Sequence, residues 1–237
     1  GIEAYFEGRW ADALDLYRRS RAAKQRAGDI VNAATQSNNE AEILSDQGRL
    51  DEAERLLRDA LRVWSAAGYQ IGAALATSNL GRLAARAGRH EEALALLSAA
   101  TDAFDRMGAE GYVDEARTRT AECLALAGRA AEAATLARET LAHVRQEAEQ
   151  SVLAAQLERT LAWSALLGGD GRTAAEHAAR SLAEARALGA AYEVAVTLDT
   201  AARLPGRDPA DARRDADEAA AILASLGVVR VPVPAIA

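Results

Sequence analysis

Proline is missing from everything before residue 205 of this 237-residue chain, and the four that exist are Pro205, Pro209, Pro232 and Pro234. Because proline disrupts helix interiors, everything before Pro205 is open to continuous helix. Cysteine is reduced to Cys123. No disulfide can form within the chain, which suits a reducing, cytoplasmic setting. No apolar run approaches the ~20 residues needed to cross a bilayer, and no secretory leader is visible, so no membrane partner is expected. Met107 is the sole methionine and the chain opens at Gly1; it is expected to be a piece of something longer. Charge of one sign is also scarce. The net charge of -7 comes from interspersed acids and bases, so no nucleic-acid partner is expected and the charged faces read as solvated.

Alanine, leucine, arginine and glutamate dominate what is present, a composition that favours helix. The main signal is a repeat. Gly8-Arg9, Gly48-Arg49, Gly88-Arg89 and Gly128-Arg129 recur at a constant spacing, and each is followed by an acidic or small pair and an alanine: Ala13, Ala53, Ala93, Ala133. A fifth unit opens at Gly169 with Ala174 in the alanine place, and a degenerate sixth has Gly206-Arg207 and Ala212. A second glycine falls halfway through most units, at Gly28, Gly68, Gly108 and Gly189; Ala148 takes this place in the fourth unit, and Gly227 closes the sixth. Glycine just past a helix end supplies a left-handed cap, so each unit reads as two helices.

Between Gly48 and Gly68 the apolar residues Leu50, Ala53, Leu56, Leu57, Ala60, Leu61 and Trp64 keep helical spacing. Asp51 and Glu52 suit the positive end of that helix. The other helix of each pair is expected over Val31–Gln47, Ile71–Ala87, Tyr112–Ala127, Ser151–Leu167 and Ala190–Leu204. Small residues at Ala41, Gly81, Ala121 and Ala162 would let neighbouring helices approach closely. Cys123 shares a column with Ile43 and Leu83 and reads as a small core hydrophobe.

The Gly-Arg pair, two variable residues and Glu-Ala, with a small residue in the preceding helix, resemble the tetratricopeptide repeat. The unit, at about 40 residues, is longer than the common form of about 34 residues and lacks its closing proline. It is similar to the longer variants in kinesin light chains and actinobacterial signalling proteins. The resemblance implies an all-α fold, a right-handed α-α superhelix of antiparallel helix pairs. One repeat domain is expected over residues 1–227, with units at 1–28 (truncated), 29–68, 69–108, 109–148, 149–189 and 190–227. Ile2–Glu7 reads as the last turns of a cut helix. Residues 228–237, with two prolines among alternating valines, read as an extended tail.

The run from Asn38 to Glu54 and the stretch Leu226-Gly227-Val228-Val229-Arg230 together resemble the C-terminal region of large actinobacterial regulators. In those proteins a class III nucleotide cyclase or a DNA-binding domain precedes an ATPase module and then repeats. No motif of those upstream domains occurs here, so none of their activity is carried by these residues.

Chemistry is sparse. Gly168-Gly169-Asp170-Gly171-Arg172 lacks the phosphate-loop pattern and reads as a turn with Asp170 as helix cap. His90, His143 and His177 have no metal-ligand spacing with one another or with Cys123. Acid pairs such as Glu91-Glu92 sit at helix starts, where the dipole accounts for them. No catalytic, cofactor or metal residue is expected, and the chain is not expected to be an enzyme.

A protein or peptide partner is expected instead, along the first helices of the pairs, which line the concave surface in the superhelix that the resemblance implies. Asn39, Asn79, Arg119 and Arg159 share one column; Glu42, Arg82, Glu122 and Trp163 a second; Asn38, Ser78, Thr118 and Glu158 a third. Asparagine offers a donor and an acceptor to an extended backbone, and arginine a fork for a carboxylate. The related proteins hold peptides with such asparagines. The alternative is that Asn38, Asn39 and Asn79 bridge adjacent helices, and that Trp163 is packed rather than an anchor. Three roles follow: a binding scaffold, a regulatory arm acting on upstream domains of its own parent chain, or a module that forms homodimers.

Overall fold

The structure, a computed structural model, describes residues 1–147 and 151–235. The expected junction of the fourth and fifth units at Ala148, and the tail residues beyond Ala235, lie outside the described residues. Among the described residues there are twelve helices and no strand: α1 (Ile2–Phe6), α2 (Trp10–Arg26), α3 (Ile30–Asp46), α4 (Leu50–Ala66), α5 (Gln70–Arg86), α6 (His90–Arg106), α7 (Glu110–Leu126), α8 (Ala130–Glu147), α9 (Val152–Leu167), α10 (Gly171–Ala187), α11 (Ala191–Ala202) and α12 (Pro209–Ser225). This is an all-α superhelical repeat array, and no described helix is long and apolar enough to cross a membrane.

A typical half-repeat is a 17-residue helix, about 25 Å long at 1.5 Å per residue, plus a short turn. The Gly-Arg signature now has a physical reading. Gly48 sits at φ 82, and the Gly48 and Arg49 amides donate to the carbonyls of Ser45 (3.1 Å) and Leu44 (2.8 Å). These paired bonds satisfy carbonyls that the end of α3 leaves open. Arg49 is then the N-cap of α4, and its guanidinium makes a two-pronged bond to Glu52, 2.7 Å on each arm. Arg129 and Glu132 repeat it at 2.8 and 2.6 Å. Asp170 caps α10 as expected, its carboxylate accepting from the Thr173 amide at 3.0 Å.

The alanine column is fully enclosed: Ala13, Ala53, Ala93, Ala133 and Ala174 expose none of their surface. Ala212 in the sixth unit is only partly buried. Ala41, Ala121, Ala162 and Cys123 are equally enclosed. At Gly81 an added Cβ would lie 2.7 Å from Leu97 Cγ, so a backbone without a side chain is what lets α5 and α6 touch there. Larger residues fill the outer core column, where Trp64, Phe104 and Val144 are buried in successive repeats.

The chain divides into two compact units. The first is Gly1–Ala116 with Leu226–Val231, and the second is Arg117–Ser225 with Pro232–Ala237. Within the first, Phe104 packs with Ala74, Ala100, Val113 and Ala116. Within the second, Leu141, Val144, Leu157 and Leu161 form a cluster with Ala121 and Ala137.

Candidate functional site

Among the described contacts, first helices of successive pairs touch one another at α3 with α5 and at α9 with α11. The predicted columns run along α3, α5, α7 and α9. Most of their members are buried: Asn38, Ser78, Asn79, Thr118, Arg119, Glu122, Glu158, Arg159 and Trp163. Asn39, Glu42 and Arg82 keep partial exposure.

In the first unit the structure brings Asn38, Glu42 and Asn79 together. Asn79 Nδ2 donates to Asn38 Oδ1 and to Glu42 Oε1, both at 2.8 Å, and Asn38 Nδ2 donates to Glu42 Oε1 at 3.3 Å. Asn38 and Asn79 therefore bridge α3 and α5. One turn further on, Arg82 Nη2 and Arg86 Nη1 meet Asp46 Oδ1 at 2.9 and 2.6 Å, and Arg86 Nη1 also donates to the Ser45 carbonyl at 2.8 Å. Asp46 ends α3, where the helix dipole disfavours an acid. Burial pushes its carboxyl up, but Arg82 and Arg86 outweigh burial and hold it below the ordinary carboxylate range.

The second unit holds a separate network. Arg159 is buried against Glu193, whose other oxygen accepts from Gln156 Nε2 at 2.6 Å. Its guanidinium also lies 5.4 Å from the ring centre of Trp163. Burial lowers the affinity of Arg159 for its proton; Glu193 and then Glu122 more than restore it, so the group stays charged. The Trp163 indole donates to Thr200 Oγ1 at 2.9 Å, so this tryptophan packs between α9 and α11. Glu158 gathers Arg145 (2.8 Å), Arg180 (3.1 Å) and His177 (2.6 Å). Burial raises its carboxyl, and the hydrogen bonds from His177 and Arg180 bring it below its ordinary value. Among the described residues no cluster of histidine, cysteine and acid could hold a metal ion.

The stretch after α12 carries no helix or strand over residues 228–235, and it is held in place. Gln47 Nε2 donates to the Leu226 carbonyl at 2.8 Å, and the Val229 amide donates to the Gln47 carbonyl at 2.9 Å. A Cβ on Gly48 would sit 3.0 Å from Arg230 Cβ and 3.2 Å from its amide nitrogen. The turn glycines Gly28, Gly68, Gly88, Gly108 and Gly128 have nothing within 4 Å of that position.

These helix pairs, with polar bridges between neighbouring repeats, can be set beside known proteins. Residues 31–106 match the tetratricopeptide repeat family. No curated protein matches the chain. Among solved structures, that of BtubC (BKLC) from P. vanneervenii superposes with a TM-score of 0.58 at 20% identity, over 96% of this chain and 93% of that one. That likeness concerns the fold. A putative kinesin light chain from Podosopora anserina with nearly identical TPR-like repeats gives 0.49 at 16% identity, over 93% of each chain. The helix pairs of this chain continue on both sides of the matched tetratricopeptide segment.

Sequence columns missed Asp46, Arg86, Glu193 and Thr200. Asp46 and Arg86 lie one repeat apart, as do Glu42 and Arg82. Opposite charges one period apart on touching helices were the available signal for the first pair.

Proposed function

We propose that the chain is a non-catalytic scaffold that binds a protein or extended peptide along its first helices, with Asn39, Glu42 and Arg82 as the groups that reach the ligand. Tetratricopeptide repeats generally serve as protein-interaction scaffolds, and a fold alone does not choose the partner. The observation that supports this reading is pre-orientation. Two amides fix the Glu42 carboxylate and Asp46 fixes Arg82, so an acceptor and a cation stand in one column, one repeat apart. Groups already held in place lose little side-chain entropy when a ligand docks. Asn38 and Asn79 act as supports; Ser78 is buried in the same unit, and Thr118, Arg119, Glu122, Arg159 and Trp163 are buried within the other.

The test is capture from cytosolic lysate with the native chain and with Asn39→Arg, whose helicity is first checked by circular dichroism. A partner held by the native chain and lost by the variant supports the reading. Equal retention moves the site off this face.

A second reading is favoured by one observation. The two stretches that resemble actinobacterial regulators, Asn38–Glu54 and Leu226–Arg230, meet at Gln47 and Gly48. In that reading the chain is a regulatory arm whose partner is an upstream cyclase or ATPase domain of its own parent. A parent reading frame without such a domain would remove it.

A further inference from the structure

The last turn of α3 is held from two directions, and both sets of partners lie in its own unit. On one side Asp46 meets Arg82 and Arg86 of α5, and the Ser45 carbonyl accepts from Arg86. On the other, Gln47 takes the stretch after α12. Its side-chain amide donates to the Leu226 carbonyl, and its own carbonyl accepts from the Val229 amide. The Ser45 and Gln47 carbonyls are among those that a helix end leaves open, so both sets of bonds cap the same turn. Gln47 also breaks the pattern of the repeat, since Ala87 and Ala127 stand in its place one and two units on. Alanine would cost less there, because Gln47 is buried and its Oε1 finds no hydrogen-bond partner among the described residues. What the glutamine adds is its bond to Leu226. The approach is close: a Cβ on Gly227 would lie 3.0 Å from Gln47 Nε2.

We propose that residues 226–231 are a latch that sets Arg82 through the last turn of α3. With the stretch seated on Gln47, the turn is fixed and Asp46 holds Arg82 in the binding column. With the stretch lifted, the turn loosens, and Arg82 and Arg86 lose a stationary carboxylate. Such coupling is reciprocal, so a ligand that engages Arg82 also tightens the latch. The use of the latch rests on the ligand-binding role given to Arg82, but the coupling itself belongs to the chain without ligand.

The experiment therefore uses the whole chain with no ligand, and two variants. Gln47→Ala removes the side-chain bond and installs the residue that the array carries at Ala87 and Ala127. Val229→Pro removes the amide donor at a residue whose surface is 76% exposed. The readouts are tryptic cleavage after Arg230, hydrogen exchange of the Gly48 and Arg49 amides, and the guanidinium resonances of Arg82 and Arg86. In both variants cleavage and exchange should be about tenfold faster, as local opening of the turn requires. Both resonances should move, while that of Arg129, in the other unit, stays put. Faster cleavage with unchanged exchange and static resonances would overturn the proposal, because the stretch would then be a passive cover. Unchanged cleavage would overturn it too, and so would loss of helicity in both variants, which would make the stretch part of the core. Because no ligand is present, these results stand whatever Asn39→Arg does to partner capture.

Discussion

Placing a methyl group on Gly81 sets two known effects against each other inside one repeat. Gly81 is buried in α5, where alanine would improve helix propensity by about 1 kcal/mol. The new Cβ would stand 2.7 Å from Leu97 Cγ, 3.0 Å from its Cδ2 and 3.3 Å from the Ala93 carbonyl oxygen. Leu97 is fully enclosed and the clash falls on its branch point, so it has no room to swing away. Overpacking of this kind costs about 1–3 kcal/mol, and the sum is a net loss of about 1 kcal/mol for Gly81→Ala. The second arm is Leu97→Ala, which should cost about 2–5 kcal/mol through the hole it leaves.

In the double variant the clash is gone and the methyl fills part of that hole. The resulting pair, alanine facing alanine, already exists at Ala121 and Ala137 in one core cluster. The double variant should therefore be more stable than the sum of the singles by about 1–3 kcal/mol, a coupling well above the ~0.5 kcal/mol scatter of independent sites. Urea unfolding followed by far-ultraviolet circular dichroism measures it, provided the slope of the transition is unchanged. Additive losses, or a Gly81→Ala variant more stable than the native chain, would refute the steric account of this column.

Three further outcomes are expected. Asp46→Asn leaves Arg82 and Arg86 without their carboxylate and should cost about 3–5 kcal/mol at neutral pH. The folded pKa of Asp46 lies below the unfolded one, so its stabilising effect is full above the ordinary carboxylate value of about 3.9 and is lost as pH falls through the folded value; acid titration of native and variant stability should show the two converging at low pH. Ala53→Leu, in the enclosed alanine column, should lower stability by about 1–3 kcal/mol in the same urea assay. Gly48→Ala and Gly88→Ala both force a left-handed residue and should each cost about 1–2 kcal/mol, but only Gly48→Ala should speed tryptic cleavage after Arg230.

Much of the fold was legible because the repeat is punctuated. The glycine marks located α2 to α7 closely: each closes one helix, and at Gly8-Arg9, Gly48-Arg49 and Gly88-Arg89 the arginine opens the next. The candidate site was legible only as columns. A column says which residues share a helix face; it does not say whether a neighbouring helix covers them. Asn79 is a groove residue by its period and a bridge by its bonds to Asn38 and Glu42. Glu193 pairs with Arg159 off the register of the repeat, so periodicity could not join them. The bond from Gln47 to Leu226 links the second repeat to the far end of the chain and leaves no local trace in the sequence.

Gly48 makes the marks of this array unequal. At Gly28 or Gly88 open space surrounds the turn, and asparagine, which tolerates left-handed backbone, could stand in at modest cost. At Gly48 the same exchange would push its side chain into Arg230. A chain drifting in sequence could thus erase its open turn glycines one at a time and keep its helices, while Gly48 answers to Arg230 and Gly227 to Gln47, each a residue far away in the sequence. Deep mutational scanning would see these two as intolerant sites in a more forgiving row.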